Sequence, residues 1–157
     1  MPLLVTSLKT PVGTLNLLAD DQILIGANLS SISAFNVNTE LKSVKNIPVI
    51  SQLISDYFDG DLSAINAIKV RQPGASFSQA AWKAMRKVSA GKVISYSDLA
   101  DKAGSSAAVR AAGSACANNA IMLVVPCHRI VKTGGALGNY AYGVDKKEWL
   151  LSHEGFL

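Results

Sequence analysis

Ile121-Met122-Leu123-Val124-Val125-Pro126-Cys127-His128-Arg129-Ile130-Val131 is the stretch around which this chain is organised. Apolar residues run without a break into Pro126, and a thiol, an imidazole and a guanidinium follow in consecutive positions. An apolar run of this length, bounded by a breaker, predicts a short strand buried on both faces. Proline cannot donate to a ladder, so regular pairing is expected to end at Pro126. Cys127 then stands where a rigid element stops. His128 and Arg129 beside it are the kinds of neighbour that lower a thiol pKa and raise its thiolate fraction, and the thiolate is the nucleophile. The stretch therefore predicts a reactive cysteine on a rigid base, against the plainer alternative of a small buried hydrophobe.

Working outward, the 157 residues suffice for one or two small domains. Hydrophobic residues make up 49% and charged ones 17%, a globular composition and not a disordered one. Cys116 and Cys127 make neither a disulfide framework nor a zinc site, which points to a reducing, cytoplasmic setting. The N-terminal residues read as lacking a signal peptide, and no apolar run reaches membrane-spanning length. Net charge is uneven. Residues 1–76 carry five Lys/Arg against six Asp/Glu, and residues 77–157 carry ten against five. The second half is the part suited to a polyanion.

The fold class expected is α/β (α+β), in two domains, 1–75 and 76–157. In the first, runs at 3–8, 14–19 and 23–29 predict an antiparallel meander, broken by Thr10-Pro11-Val12-Gly13 and Asp20-Asp21-Gln22. Ile50, Leu53, Ile54, Tyr57 and Phe58 predict a helix over 48–58, with Pro48 in its first turn and Gly60 at its stop. Pro73-Gly74 marks a linker where the charge balance shifts.

The second domain is expected to be mainly helical. Ser76 and Gln79 have capping-box spacing for a helix reaching about Ala90. Ser95 and Asp98 have the same spacing for a helix that Gly104 ends. Ser105 or Ser106 would cap the next, running to about Asn118. Two short helices joined at a glycine make a helix-turn-helix pattern. On the second, Val109, Ala112, Gly113 and Cys116 share the face expected to point inward, with Cys116 an inert core thiol. Ala107, Arg110, Ala111 and Ser114 form the other face: one long cation among small side chains. Such a face lacks the side chains that read major-groove base edges and suits a narrow minor groove. An Ala-rich helix packed against its neighbours has the same composition. A last helix is expected from about Asp145 to Ser152 or His153.

Pro-Cys-His-Arg at 126–129, Gly134-Gly135, Gly138-Asn139-Tyr140 and Glu148-Trp149-Leu150-Leu151-Ser152-His153-Glu154-Gly155 together resemble the O6-alkylguanine-DNA alkyltransferases, also called methylated-DNA–protein-cysteine methyltransferases. The resemblance extends from about Phe77 to the C-terminus. It implies a DNA-repair protein that flips a damaged base out of the duplex. The alkyl group of O6-alkylguanine, or of O4-alkylthymine, then passes to Cys127 in one irreversible step. No cofactor is implied, and no metal, since the first 76 residues hold neither Cys nor His.

The resemblance also implies roles. Cys127 is the acceptor, and a water-mediated relay runs through His128 to Glu154. Asn119 is the hinge asparagine eight residues before the cysteine, followed here by Ala120 where relatives usually have Pro. Tyr96 stabilises the leaving guanine, and Arg110 fills the stack the base has left. Ala107, Ala111 and Ser114 lie with Arg110 along the minor groove of double-stranded DNA, with little sequence preference. Ile130, Tyr140, Ala141 and Tyr142 form the substrate pocket. Ala141 stands where many relatives have Ser, and Tyr142 where many have Gly. The expected state is a cytoplasmic monomer, nucleoid-associated in a prokaryote. Competing classes are a non-catalytic lesion-binding relative, a cysteine hydrolase and a helix-turn-helix regulator. The first would lack the acceptor thiol, and the last would carry base-reading side chains.

Overall fold

A computed structural model describes residues 2–157. Its contacts group into two units: residues up to Gln72 together with 120–124, and residues 73–119 together with 125–157.

The first unit is built on a meander of β1 (Leu3–Thr10), β2 (Gly13–Asp20) and β3 (Ile23–Asn28), paired antiparallel as the alternating pattern predicts. β2 is central and buries every residue from Leu15 to Ala19, so both of its faces are covered. Two strands that sequence did not indicate add parallel edges: β4 (Leu41–Ser43) beside β1 and β5 (Lys69–Val70) beside β3. Helix α1 (Ile50–Phe58) turns Ile50, Ile54 and Tyr57 into the core. It starts two residues later than expected. Pro48 lies before it, in a γ-turn whose central Val49 has φ 71° and whose Ile50 N–H donates to the Pro48 carbonyl at 2.8 Å.

The apolar run at 121–125 is not a strand. Ile121 makes a single bridge to Ala27, where Ala27 N–H donates to the Ala120 carbonyl and Met122 N–H to the Ala27 carbonyl. The chain then leaves the sheet. Leu123 has φ 73°, and Val124 N–H donates to the Met122 carbonyl at 2.9 Å, a second γ-turn of the rare positive-φ kind. At Pro126 the φ of −85° and ψ of 69° make the common inverse γ-turn, closed by Cys127 N–H on the Val125 carbonyl. Residues 121–125 are all buried. Composition signalled burial correctly, and burial in a folded-back coil has the same composition as burial in a strand. Cys127 therefore opens a single 3₁₀ turn, Cys127–Arg129, and the strand β7 (Ile130–Val131) comes after the cysteine instead of before it.

The second unit holds α2 (Ser76–Arg86), β6 (Ile94–Ser95), α3 (Tyr96–Lys102), α4 (Val109–Ala117) and α5 (Val144–His153). β6 and β7 pair in parallel, which sets Tyr96 at the start of α3 near the cysteine turn. Trp82 of α2 is buried and donates its indole N–H to the Ala115 carbonyl of α4 at 2.9 Å.

Most departures from the expected boundaries lie at helix ends. The Ser95–Asp98 capping box is present in both directions. The one expected at Ser76 and Gln79 is absent: Ala75 is the N-cap, and Gln79 turns its amide toward the Gly74 carbonyl. α2 stops at Arg86 and not near Ala90. Ser105 and Ser106 do not cap α4, whose N-cap is Ala108. Ser105 is already engaged, because its N–H bonds the Ala100 carbonyl while Gly104 N–H bonds Asp101, which is the Schellman closure of α3. Gly104 can adopt the φ of 105° that this needs. The delayed start leaves Ala107 in the turn before α4 and off the helix face assigned to it. The buried face of α4 is Ala112 and Ala115, not the Val109–Gly113–Cys116 row. No helix among the described residues is long and apolar enough to cross a membrane.

Candidate active site

Cys127 is 8% exposed and lies on the wall of a cavity of about 600 Å³ within the second unit. α3 brings Tyr96 to this cavity, α4 brings Arg110 and Cys116, and the loop before α5 brings Tyr140 and Ala141. Cys116 is thus a half-exposed thiol facing the same space, and not a core thiol. Arg110 lines the cavity from the exposed side of α4. Ala111 and Ser114 are exposed on the helix but do not line the cavity. Ile130 is fully buried and does not line the cavity. Tyr142 does not line it either: its half-buried ring packs edge-on against Tyr140, with centroids 5.7 Å apart.

Asn119, just past the end of α4, holds the strained approach to the cysteine. Its side-chain amide donates to the Val125 carbonyl at 2.8 Å and to the Cys127 sulfur at 3.5 Å.

Behind the thiol lies a buried polar cluster. Glu154 is the C-cap of α5, and a Schellman closure fixes it there: Gly155 N–H donates to Ser152 and Phe156 N–H to Leu151. The glycine takes φ 84°. The carboxylate consequently faces inward and is 4% exposed. It accepts from His128 Nε2 at 2.8 Å and from Arg129 Nε and Nη2, each at 2.9 Å. Arg129 Nη1 donates to the Val88 carbonyl at 2.7 Å. Burial alone would raise the Glu154 pKa. Hydrogen bonds from His128 and Arg129 outweigh it and hold the carboxyl well below the usual carboxylate range.

An ionised Glu154 only accepts, so His128 Nε2 carries the hydrogen. Burial pushes the His128 pKa down, against the pull of Glu154, and the ring is neutral near pH 7. Its Nδ1 then presents a lone pair and has no hydrogen-bond partner among the described residues. This is a base held in one tautomer.

The thiol does not behave as the neighbouring residues suggested. His128 and Arg129 are turned toward Glu154, and burial pushes the Cys127 pKa up. Asn119 and Lys147 act in the opposite direction. The resting thiol is protonated and needs a base. Tyr96 is pushed up to about 12, chiefly by burial and then by the two thiols, so it remains a hydrogen-bond donor.

Two side chains of this cluster escaped the sequence reading in these roles. Arg129 serves as the anchor of Glu154. Lys147 is fully buried, and its ammonium donates to the Ile130 carbonyl at 2.6 Å and to the Asn139 carbonyl at 3.4 Å. A signal for Lys147 existed: Lys147, Leu150, Leu151 and Glu154 fall at i, i+3, i+4 and i+7 and make the buried stripe of α5. Among the described residues no group of three or more His, Cys, Asp or Glu could hold a metal ion.

Residues 76–156 match the family described as 6-O-methylguanine DNA methyltransferase, DNA binding domain. The methylated-DNA–protein-cysteine methyltransferase of Salmonella typhimurium is 36% identical, over 99% of this chain and 97% of that protein. The human protein of the same name is 49% identical over 49% of this chain and 37% of its own length. The crystal structure of the Mycobacterium tuberculosis OGT in complex with DNA superposes with a TM-score of 0.83 at 27% identity, over 96% of this chain and 92% of that one. The chain belongs to the 6-O-methylguanine DNA methyltransferase family.

Proposed function

We propose that this protein is a DNA-repair methyltransferase that moves the alkyl group of O6-alkylguanine in DNA onto Cys127. The observation that carries the reading is the thiol on a cavity wall backed by a neutral histidine, whose tautomer is set by a buried carboxylate. His128 Nδ1 takes the thiol proton, directly or through a bridging water. Its positive charge is balanced by Glu154, which Arg129 keeps ionised. The sulfur forms a bond to the alkyl carbon as the carbon–O6 bond breaks, and the electron pair leaves with the guanine. Tyr96, a donor at neutral pH, stabilises the charge arriving on the ring. The product is a thioether that no group in the site can cleave, so each molecule acts once.

The target base is buried in a duplex and must be flipped into the cavity. We assign the approach to α4, whose small exposed Ala111 and Ser114 flank Arg110 and fit a minor groove with little base readout. Arg110, at the cavity mouth, fills the vacated stack, and one copy of the chain suffices. The test is mass spectrometry after incubation with O6-methylguanine duplex. One methyl group per molecule, mapped to Cys127, is expected. Cys127→Ser should take up none while still binding the duplex. Methyl uptake by that variant overturns the assignment.

A further inference from the structure

The second unit has another cavity, of about 570 Å³, that shares no lining residue with the first. Lys83 of α2, Lys87 at its C-cap, Lys92 before β6 and Lys102 at the end of α3 stand around it, and no carboxylate lines it. All four lysines are exposed, and none pairs with a carboxylate among the described residues. Lys83 lies in the last turn of α2, and Lys87 follows four residues later at the C-cap, still in helical backbone, next to the face that Trp82 commits to α4. Part of the lining is apolar, with Ala80, Ala84 and Val88. It is also fixed in place, since the Val88 carbonyl holds the Arg129 guanidinium.

Four unpaired ammonium groups around one concavity repel one another unless an anion sits among them. The cavity has no aromatic residue on which a base could stack. It has no fork of donors to read a base edge either, whereas ammonium groups meet phosphates as point charges. We propose that this lysine-ringed cavity is a second DNA-binding site, taking the phosphate backbone of DNA outside the stretch that α4 engages. The proposal rests on the DNA-repair reading above. It adds an electrostatic site that holds the protein on undamaged DNA and has no part in the chemistry.

Salt titration tests it. For every phosphate that the protein no longer neutralises, the plot of log affinity against log salt flattens by about 0.9. Changing Lys83, Lys87, Lys92 and Lys102 together to Gln keeps polar side chains only slightly shorter than lysine and removes the charge. On undamaged 40-bp duplex the slope should flatten by about 2 or more, and affinity at low salt should fall more than tenfold. Melting temperature and methyl uptake from free O6-methylguanine should not change. A 12-bp duplex separates the sources. If flanking phosphates of the same duplex fill the cavity, the short duplex shows a smaller difference between wild type and variant. If a second duplex fills it, the difference persists and wild type alone bridges two labelled duplexes. Equal slopes for variant and wild type, with wild-type binding intact, overturn the proposal and leave the repair reading standing. Absence of any wild-type DNA binding instead overturns the repair reading. Loss of self-association or of acidic-peptide binding at an unchanged slope assigns the lysines to a protein partner and also overturns the proposal.

Discussion

Lys147 carries a charge into the protein interior with no carboxylate beside it, and only backbone carbonyls receive its protons. Burial lowers its pKa, and the nearby thiols of Cys127 and Cys116 act against that. The influence runs both ways, since Lys147 also draws the Cys127 pKa down. The other titratable groups electrostatically linked to this thiol, Tyr96 from α3, Cys116 from α4 and Tyr142 from the loop, carry no positive charge. Lys147→Met keeps the stem and removes the charge. The pH midpoint for labelling Cys127 with iodoacetamide, followed by peptide mapping, should therefore move upward. Lys147→Arg, which keeps the charge, should leave it closer to wild type. Identical midpoints in all three proteins would confine Lys147 to a structural role. At this scale the sequence showed that Cys127 ends a buried apolar run, but not its thiol pKa, because His128 and Arg129 turn toward Glu154. It was opaque at Lys147, because hydropathy places a lysine outside and only the i, i+3, i+4, i+7 stripe of α5 places it inside.

Among the elements, α4 shows what local pattern can and cannot convey. Its existence follows from its Ala-rich composition, but its start and its buried face do not. Both depend on Gly104 and Ser105, which the preceding helix uses to close itself. The α3 capping box was legible because both partners lie within one turn. The turn leading into the cysteine was not, because Leu123 adopts positive φ where no glycine marks the place, and the late start of α1 was hidden by the same conformation at Val49. Arg110 remains on the exposed side of α4 at the cavity rim. Arg110→Ala should slow methyl uptake from duplex substrate more than uptake from the free base. Extrusion costs on the order of a few kcal/mol, and only the duplex reaction needs it. Single-turnover rates on the two substrates decide this, and equal losses would make Arg110 structural.

For the molecule as a whole, the buried His128–Glu154–Arg129 cluster makes stability depend on acid. His128 has a folded pKa below its ordinary 6.5, so the unfolded chain binds its proton first. Its contribution is complete above about 6.5 and is lost as pH falls from there. Glu154 is likewise depressed from 4.5, so its contribution is complete above that value and is lost as pH falls further. Both signs agree: the melting temperature should decline from pH 7.5 downward, and more steeply below about 4.5. Glu154→Gln strands the Arg129 guanidinium in the interior and should cost about 3–5 kcal/mol at pH 7.5. It should also flatten the steep acid limb. Thermal melts from pH 8 to pH 3 check both, and a wild-type melting temperature that holds level to pH 4 would contradict the cluster.

The folded-back path of residues 121–125 has a consequence before folding is complete. Ala120 to Val125 is an uncharged, strand-prone segment, and Pro126 is its only breaker. In the finished protein it is held by a bridge to Ala27 and by Ala120 N–H on the Gln72 side-chain carbonyl, both partners far earlier in the chain, by the Asn119 amide on Val125, and by turns that need the surrounding structure to hold them. Until those distant pairings form, the segment is free to stack against its counterpart in another chain, as short zipper-forming peptides do. Crowded refolding therefore sets self-association against closure at this segment, and the backbone strain at Leu123 that brings Cys127 to its cavity is absent from the competing aggregate.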